Sequence, residues 1–275
     1  MAPPFKAAIV QLRTGTDVDA NHAHAAALIR DAAKAGARFV ATPEGSNILQ
    51  RDRAKFVTDA PFEASDPSGP FFAALAAELG ITLLIGSIVL NRPDGKGPNR
   101  SLLFGPDGRE IARYDKIHLF DVNLGLGQES RESDAYLRGE TAILADTDVG
   151  KIGLTICYDM RFPHLYRQLA QAGAEILAIP AAFTRPTGEA HWEVLLRARA
   201  IETGAWVIAP AQGGKHDDGR GTWGHSLIID PWGRIVAHLD HDEPGFALAE
   251  IDLEAVAEAR RKIPAWNYSP PYAAP

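Results

Sequence analysis

The chain has 275 residues, 46% hydrophobic and 23% charged, an ordinary globular composition that supplies a sizeable core and excludes wholesale disorder. Its 28 Lys and Arg against 35 Asp and Glu leave a net charge of −7, and Arg260, Arg261 and Lys262 are too short a basic run to reverse it, so no nucleic-acid or anionic-membrane partner is expected. The longest nearly uninterrupted apolar run, Ile81 to Leu90, is about half the roughly 20 residues of a membrane span, and the single cysteine, Cys157, excludes an intramolecular disulfide and a cysteine-based zinc cage.

Phe5 to Leu12 reads as a strand, with no secretory-signal pattern, so a reducing, cytoplasmic location is expected. A helix follows from about Asp17 to Ala35, with Gly36 placed for a left-handed cap, then a strand Arg38 to Thr42 that stops at Pro43. A second helix, Pro70 to Leu79, ends at Gly80 and feeds Ile81 to Leu90, an apolar run that suits a buried strand. Pro-Asp-Gly at 93–95 and again at 106–108 marks turns around strands Ser101 to Phe104 and Ile111 to Asp115.

The second half repeats the alternation. Strand Lys151 to Ile156, helix Pro163 to Ala172 and strand Glu175 to Ile179 are followed by a periodic helix His191 to Thr203, ended by Gly204, and strand Ala205 to Ala209. Strands Trp223 to Ile229 and Arg234 to His238 form a hairpin across Asp230-Pro231-Trp232-Gly233. Strands alternating with helices throughout predict an α/β or layered α+β architecture, and two similar halves predict two stacked sheets in one domain, 1–275, with a tail from about 263.

The familiar nucleophile and nucleotide patterns fail. No G-x-S-x-G occurs, Ser226 falls inside a predicted strand, there is no P-loop, and Gly125-Leu126-Gly127 opens neither a βα turn nor a helix. His22 and His24 read as a solvated helix face and His238 to His241 as an Asp-rich turn, so no metal site is expected.

Cys157 stands directly after a strand and before a helix, where open α/β sheets place their crevices, and a partly exposed thiol there can be deprotonated by a neighbouring cation. A lone cysteine is otherwise a small buried hydrophobe. Glu44 and Lys116 occupy the same kind of position, just past apolar runs and off any helix face; either alone reads as a surface charge, but three such residues at three strand ends point to one site.

Thr42-Pro43-Glu44, Tyr114-Asp115-Lys116-Ile117-His118-Leu119-Phe120 and Gly153 to Pro163 around Cys157 resemble the Glu, Lys and Cys motifs of the nitrilase superfamily of carbon–nitrogen hydrolases. The similarity extends through Ala190-His191-Trp192-Glu193 and Trp223-Gly224-His225-Ser226 to Asp230 to Gly233, and the run His191 to Thr203 is most similar to the Nit amidase branch, that of deaminated glutathione amidase with omega-amidase as its relative.

The resemblance implies a four-layer αββα sandwich, commonly paired into a homodimer across a helical face, and a second glutamate ahead of the nucleophile. Glu132 fits that spacing better than Glu129. It implies an amidase releasing acid and ammonia from a small carboxylate-bearing amide through a Cys157 thioester. Glu44 is then the general base, with Lys116 and the Tyr158 backbone N–H as oxyanion donors, and Lys116 also favours the thiolate. No metal or organic cofactor enters this scheme. Arg161 is the candidate for the substrate carboxylate, against a structural ion pair with Asp159; Phe183 and Trp223 are candidate pocket walls, while Trp192 reads as core. The competing readings are omega-amidase, nitrilase or N-carbamoyl hydrolase action on the same residues, and a binding module that keeps the fold without catalysis.

Overall fold

The computed structural model describes residues 3–123, 125 and 129–273, so Leu126 and Gly127 of the Gly125-Leu126-Gly127 stretch, and the end of the tail, lie outside the described residues. Strand β1 (Phe5–Gln11) leads to helix α1 (Val18–Lys34), whose Asp17 cap accepts from the Ala20 N–H at 2.9 Å, and then to β2 (Ala37–Ala41). Helices α2 (Arg53–Asp59) and α3 (Ser68–Leu79) precede β3 (Thr82–Val89), β4 (Gly97–Phe104) and β5 (Glu110–Asp115). A hairpin of β6 (Asp121–Asn123) and β7 (Glu129–Arg131) and the short β8 (Tyr136–Leu137) complete the middle section.

The second half runs β9 (Ile143–Thr147), β10 (Gly150–Leu154), α4 (Pro163–Gln171), β11 (Ile176–Ala178), α5 (Arg185–Thr203) and β12 (Trp206–Ala209). A hairpin of β13 (Gly213–Lys215) and β14 (Gly221–Trp223) follows, then β15 (Leu227–Ile229), β16 (Ile235–His238), β17 (Gly245–Ile251) and α6 (Glu254–Lys262).

The strands form a seven-stranded sheet in the order β17-β1-β2-β3-β4-β5, with β8 paired to β4, and a six-stranded sheet in the order β16-β15-β12-β11-β10-β9. Side-chain alternation separates the layers. From the first sheet Ala8, Val10, Val40, Leu83 and Ile85 pack with Ile29 of α1 and Phe72 of α3, whereas Ala7, Ile9, Phe39, Ala41 and Leu84 face Ile152, Leu154 and Leu177 of the second sheet. Leu165 and Leu169 of α4 and Trp192, Leu196 and Ala200 of α5 join the far side of that second core, which makes the αββα sandwich. No helix among the described residues is long and apolar enough to cross a membrane.

Several local expectations need correction. Helix α5 starts at Arg185 rather than His191, because Pro186 fits a first helical turn and Gly188 packs so closely on Trp223 that a Cβ would lie 2.3 Å from it. The expected strand Trp223 to Ile229 breaks at Gly224 and His225, both with positive φ. Ser226 precedes β15, fully buried and hydrogen-bonded to Gln11 at 2.8 Å. His22 is not on a solvated face: it is 4% exposed, 3.0 Å from Ser68 Oγ and stacked on Phe71, since α3 covers α1. Strands β9 and β17 and helices α2 and α6 carry no clear hydrophobic period, because polar residues interrupt it.

Candidate active site

Glu44 lies three residues past β2, and its loop is tied down on both sides. Thr42 N–H donates to Leu84 O at 2.9 Å, Gly45 N–H to Ser87 Oγ at 2.9 Å, and Gln212 Nε2 reaches across from the second half to Glu44 O at 3.0 Å. Gly86 makes this approach possible: a Cβ there would sit 1.9 Å from Thr42 O and 2.3 Å from Pro180 Cβ, so only glycine lets the two sheets meet at this level. Pro180 O in turn accepts the Cys157 N–H at 2.8 Å. The ends of β2 and β10 thereby converge.

Lys116 follows β5, its backbone N–H donating to Asn99 O at 2.9 Å and its side chain entirely buried. Its Nζ lies 2.8 Å from Glu44 Oε1 and 2.8 Å from Glu132 Oε2. Glu132 is aimed by the Phe120 N–H, which donates to Oε2 at 2.8 Å. Glu129 points elsewhere: it is exposed on β7 and accepts from Asn123 Nδ2 at 2.7 Å. Cys157 opens a 3-10 turn, Cys157–Arg161, with φ of +50°, a left-handed conformation that a non-glycine residue holds only when its surroundings impose it.

The imposing group is Asp159, fully buried. Its carboxylate accepts from Ile156 N–H at 2.8 Å and Tyr114 Oη at 2.6 Å through one oxygen, and from His118 N–H at 3.0 Å and His118 Nδ1 at 2.7 Å through the other. It therefore ties the residue before Cys157 to residues on either side of Lys116. All four partners donate, so Asp159→Asn must turn an NH₂ against donors; we expect destabilisation of about 1–3 kcal/mol per orphaned group and reduced turnover, read by urea unfolding and steady-state kinetics.

The electrostatics run against one expectation. Burial pushes the Cys157 thiol well up, the Glu44 charge pushes it further, and Lys116 offsets only part, so the resting sulfur is a thiol rather than a thiolate. It is also 7% exposed, not partly open, and lies near enough to the Glu44 carboxylate to feel its charge. Burial disfavours the Glu44 carboxylate, but Lys116, Cys157 and Asn99 together hold it below the usual carboxylate range. Burial likewise opposes the Lys116 ammonium, and Glu132 and Glu44 outweigh it. Glu132 ends above its ordinary range, through burial and the nearby Glu44 charge, against the opposing pull of Lys116. The site thus holds a neutral thiol, an ionised carboxylate near it and an ammonium between two acids.

The structure brings Glu44, Lys116, Glu132 and Cys157 into one cluster. Tyr158 is the second residue of the 3-10 turn, where an opening N–H has no partner within the turn, and its ring packs edge-on to Phe120 at 5.0 Å. Arg161 does not pair with Asp159. Its guanidinium lies 5.9 Å from the Tyr158 ring centre and 5.4 Å from that of Phe183, with both terminal nitrogens 3.3 Å from His191 Nδ1. Trp192 is core, 1% exposed and packed against Phe183, while Trp223 stacks on His225 at 4.1 Å. Three contributors were not legible: Asn99, whose Nδ2 donates to Glu44 Oε1 at 2.8 Å, the Ala182 N–H, 3.0 Å from Glu44 Oε2, and Asp159 as the clamp. The Asp in the Cys157 motif was visible, but nothing in its spacing distinguishes a clamp from a surface acid.

A family model described as carbon-nitrogen hydrolase matches residues 6–261. The chain is 39% identical over 269 residues to the deaminated glutathione amidase of Synechocystis sp., covering 96% of this chain and 98% of that protein. It is 40% identical to that of Homo sapiens, over 96% and 82% of the two chains. Among solved structures, the C. elegans NitFhit protein superposes with a TM-score of 0.90 at 34% identity; 98% of this chain aligns but only 66% of that longer one. Saccharomyces cerevisiae Nit3, a member of branch 10 of the nitrilase superfamily, gives 0.84 at 31% identity, over 95% and 94% of the chains.

Proposed function

Because the chain belongs to the carbon-nitrogen hydrolase family and is a hydrolase of carbon–nitrogen bonds, we propose that it is an amidase acting on small carboxylate-bearing amides of the deaminated glutathione type. The observation that carries this reading is a buried cluster in which an ionised, lysine-paired carboxylate and a neutral thiol on a strained turn come together. In the proposed reaction Glu44 takes the Cys157 proton as sulfur bonds to the amide carbon. The resulting oxyanion is held by Lys116 and the Tyr158 N–H, and the C–N bond breaks as Glu44 returns the proton to departing ammonia. Glu44 then deprotonates the water that cleaves the thioester to free acid and thiol. Glu132 keeps the Lys116 ammonium in place.

Ammonia release from a panel of deaminated glutathione, α-ketoglutaramate, short aliphatic amides and nitriles tests the proposal. Preference for the first supports it; turnover of α-ketoglutaramate or nitriles instead, or carbon dioxide release from N-carbamoyl substrates, assigns the alternatives, and no turnover leaves the binding-module reading. Arg161, over the Tyr158 and Phe183 rings, is proposed to pair with the substrate carboxylate as a planar fork. Arg161→Lys is then expected to raise KM for anionic amides by about tenfold, with neutral amides unaffected; an unchanged KM contradicts the assignment.

We propose residues 1–275 as one domain, and a homodimer, supported by Val194 and Ile201, exposed on the outer face of α5 although apolar. Sedimentation at micromolar concentration decides this. A cytoplasmic location is supported by the single cysteine kept as a thiol.

A further inference from the structure

The Glu44 carboxylate has two chemically unequal oxygens. Oε1 accepts from Lys116 Nζ and from Asn99 Nδ2, each at 2.8 Å, whereas Oε2 accepts from the Ala182 backbone N–H at 3.0 Å. An ionised carboxylate oxygen only accepts, so the NH₂ of Asn99 must face Glu44 and its carbonyl must face away. That carbonyl, Asn99 Oδ1, is buried with no hydrogen-bond partner among the described residues, in a residue 1% exposed. An orphaned buried carbonyl is costly, and a residue present only for packing on a wholly buried strand does not retain one.

We infer that Asn99 is a positioning residue for the reaction: it occupies Glu44 Oε1 together with Lys116, so that Oε2 alone takes the Cys157 proton, at the expense of its own unpaired oxygen. Asn99 belongs to β4, whose residues are all buried, and its backbone oxygen accepts the Lys116 N–H, so one residue fixes the direction of both the proposed base and the proposed cation. With two charge-assisted donors Oε1 is made the less basic oxygen, which leaves Oε2 as the better proton acceptor. The ammonia that leaves must receive its proton from the same Oε2, which keeps both proton transfers on one short path. The inference rests on Glu44 being the base.

Two properties separate this role from ordinary packing, because the donor serves catalysis while the orphan opposes folding. Asn99→Leu has nearly the same shape and removes both. It is expected to fold with stability equal to or greater than the parent's, while kcat falls by about ten- to a hundredfold, the worth of one hydrogen bond to a charged group. The acid limb of kcat/KM moves to higher pH, since Glu44 loses a donor that favours its charged form. Asn99→Asp keeps the shape and sets an oxygen against Oε1; its expected loss is larger, with the same direction of pH shift. If Asn99→Leu does not fold, Asn99→Asp carries the same test.

A kcat within twofold of the parent, or an unmoved acid limb in the folded variant, overturns the inference, as does a loss of stability with an unmoved profile. Glu44→Gln is the control. Retained single-turnover acylation in Glu44→Gln removes the base assignment itself, whereas loss of acylation in Glu44→Gln beside an unaltered Asn99→Leu removes only the role of Asn99.

Discussion

Amide hydrolysis by Cys157→Ala is expected to fall by on the order of 10⁵-fold or more, the range reached when a covalent nucleophile is deleted. The size of the effect follows from the absence of a substitute: Cys157 is the only cysteine, and the sulfur occupies a turn whose left-handed φ aims one side chain at Glu44. Alanine tolerates that turn no worse than cysteine, so the variant should keep its fold. Cys157→Ser, which retains a donor toward Glu44 but replaces sulfur by a weaker nucleophile, is expected to be nearly as inactive. The same geometry predicts the chemistry of the free thiol. Iodoacetamide should label one equivalent per chain, slowly at neutral pH and faster as pH rises, because burial and the Glu44 charge hold the thiol protonated. A substrate-like amide should slow the labelling further. Wild-type turnover in Cys157→Ala after removal of contaminating hydrolases would falsify the nucleophile assignment, and rapid labelling independent of pH would contradict the resting thiol.

Lys116→Met should lose both activity and stability. The ammonium is entirely buried and lies 2.8 Å from a carboxylate oxygen of Glu44 and of Glu132. Deleting it strands two acids in a nearly dry site, at a cost of about 3–5 kcal/mol for breaking a buried pair from one side. The deficit should depend on pH in a definite direction. In the parent, the raised Lys116 contributes its full stability at neutral pH and loses it only as pH climbs through its folded value. The lowered Glu44 contributes above its unfolded value and loses it as pH falls. In the variant both acids lose their cation and favour the protonated form, so the stability gap between parent and variant is widest at neutral pH and narrows in acid. Urea unfolding at the two conditions reads this; a gap that does not change with pH means the acids are not the cause. The oxyanion role adds a separate kinetic loss of about 3 kcal/mol, or a hundredfold or more in kcat, and turnover within tenfold of the parent would remove Lys116 from that role.

Much of the frame was legible without coordinates. The alternation of apolar runs with glycine-terminated helices predicted two α/β halves, and the core falls where those runs lie, because burial of a strand requires the apolar side chains that make the run visible. The elements without a sequence signal are those whose pattern is diluted. Strand β17 is a seven-residue partner of β1 along the sheet edge, but its residues are mostly half-buried and its register is set by pairing rather than by hydrophobicity. Helix α5 gained its first turn from a proline and a glycine that read as breakers in isolation.

The amino-acid order alone singled out the side chains proposed to carry the chemistry, since Glu44, Lys116 and Cys157 each stand just past an apolar run and inside a motif with few alternatives. Between Glu132 and Glu129 the family resemblance gave only a preference for the first, and the fold shows Glu132 against Lys116 and Glu129 in solvent. What tertiary structure decided is everything that depends on distance between segments far apart in the chain. Protonation of the sulfur, the clamp at Asp159 and the donor from Asn99 all arise where side chains 41 to 113 positions apart meet in a low-dielectric interior. Coulombic and desolvation energies scale with separation and burial, quantities that a one-dimensional order of residues does not contain.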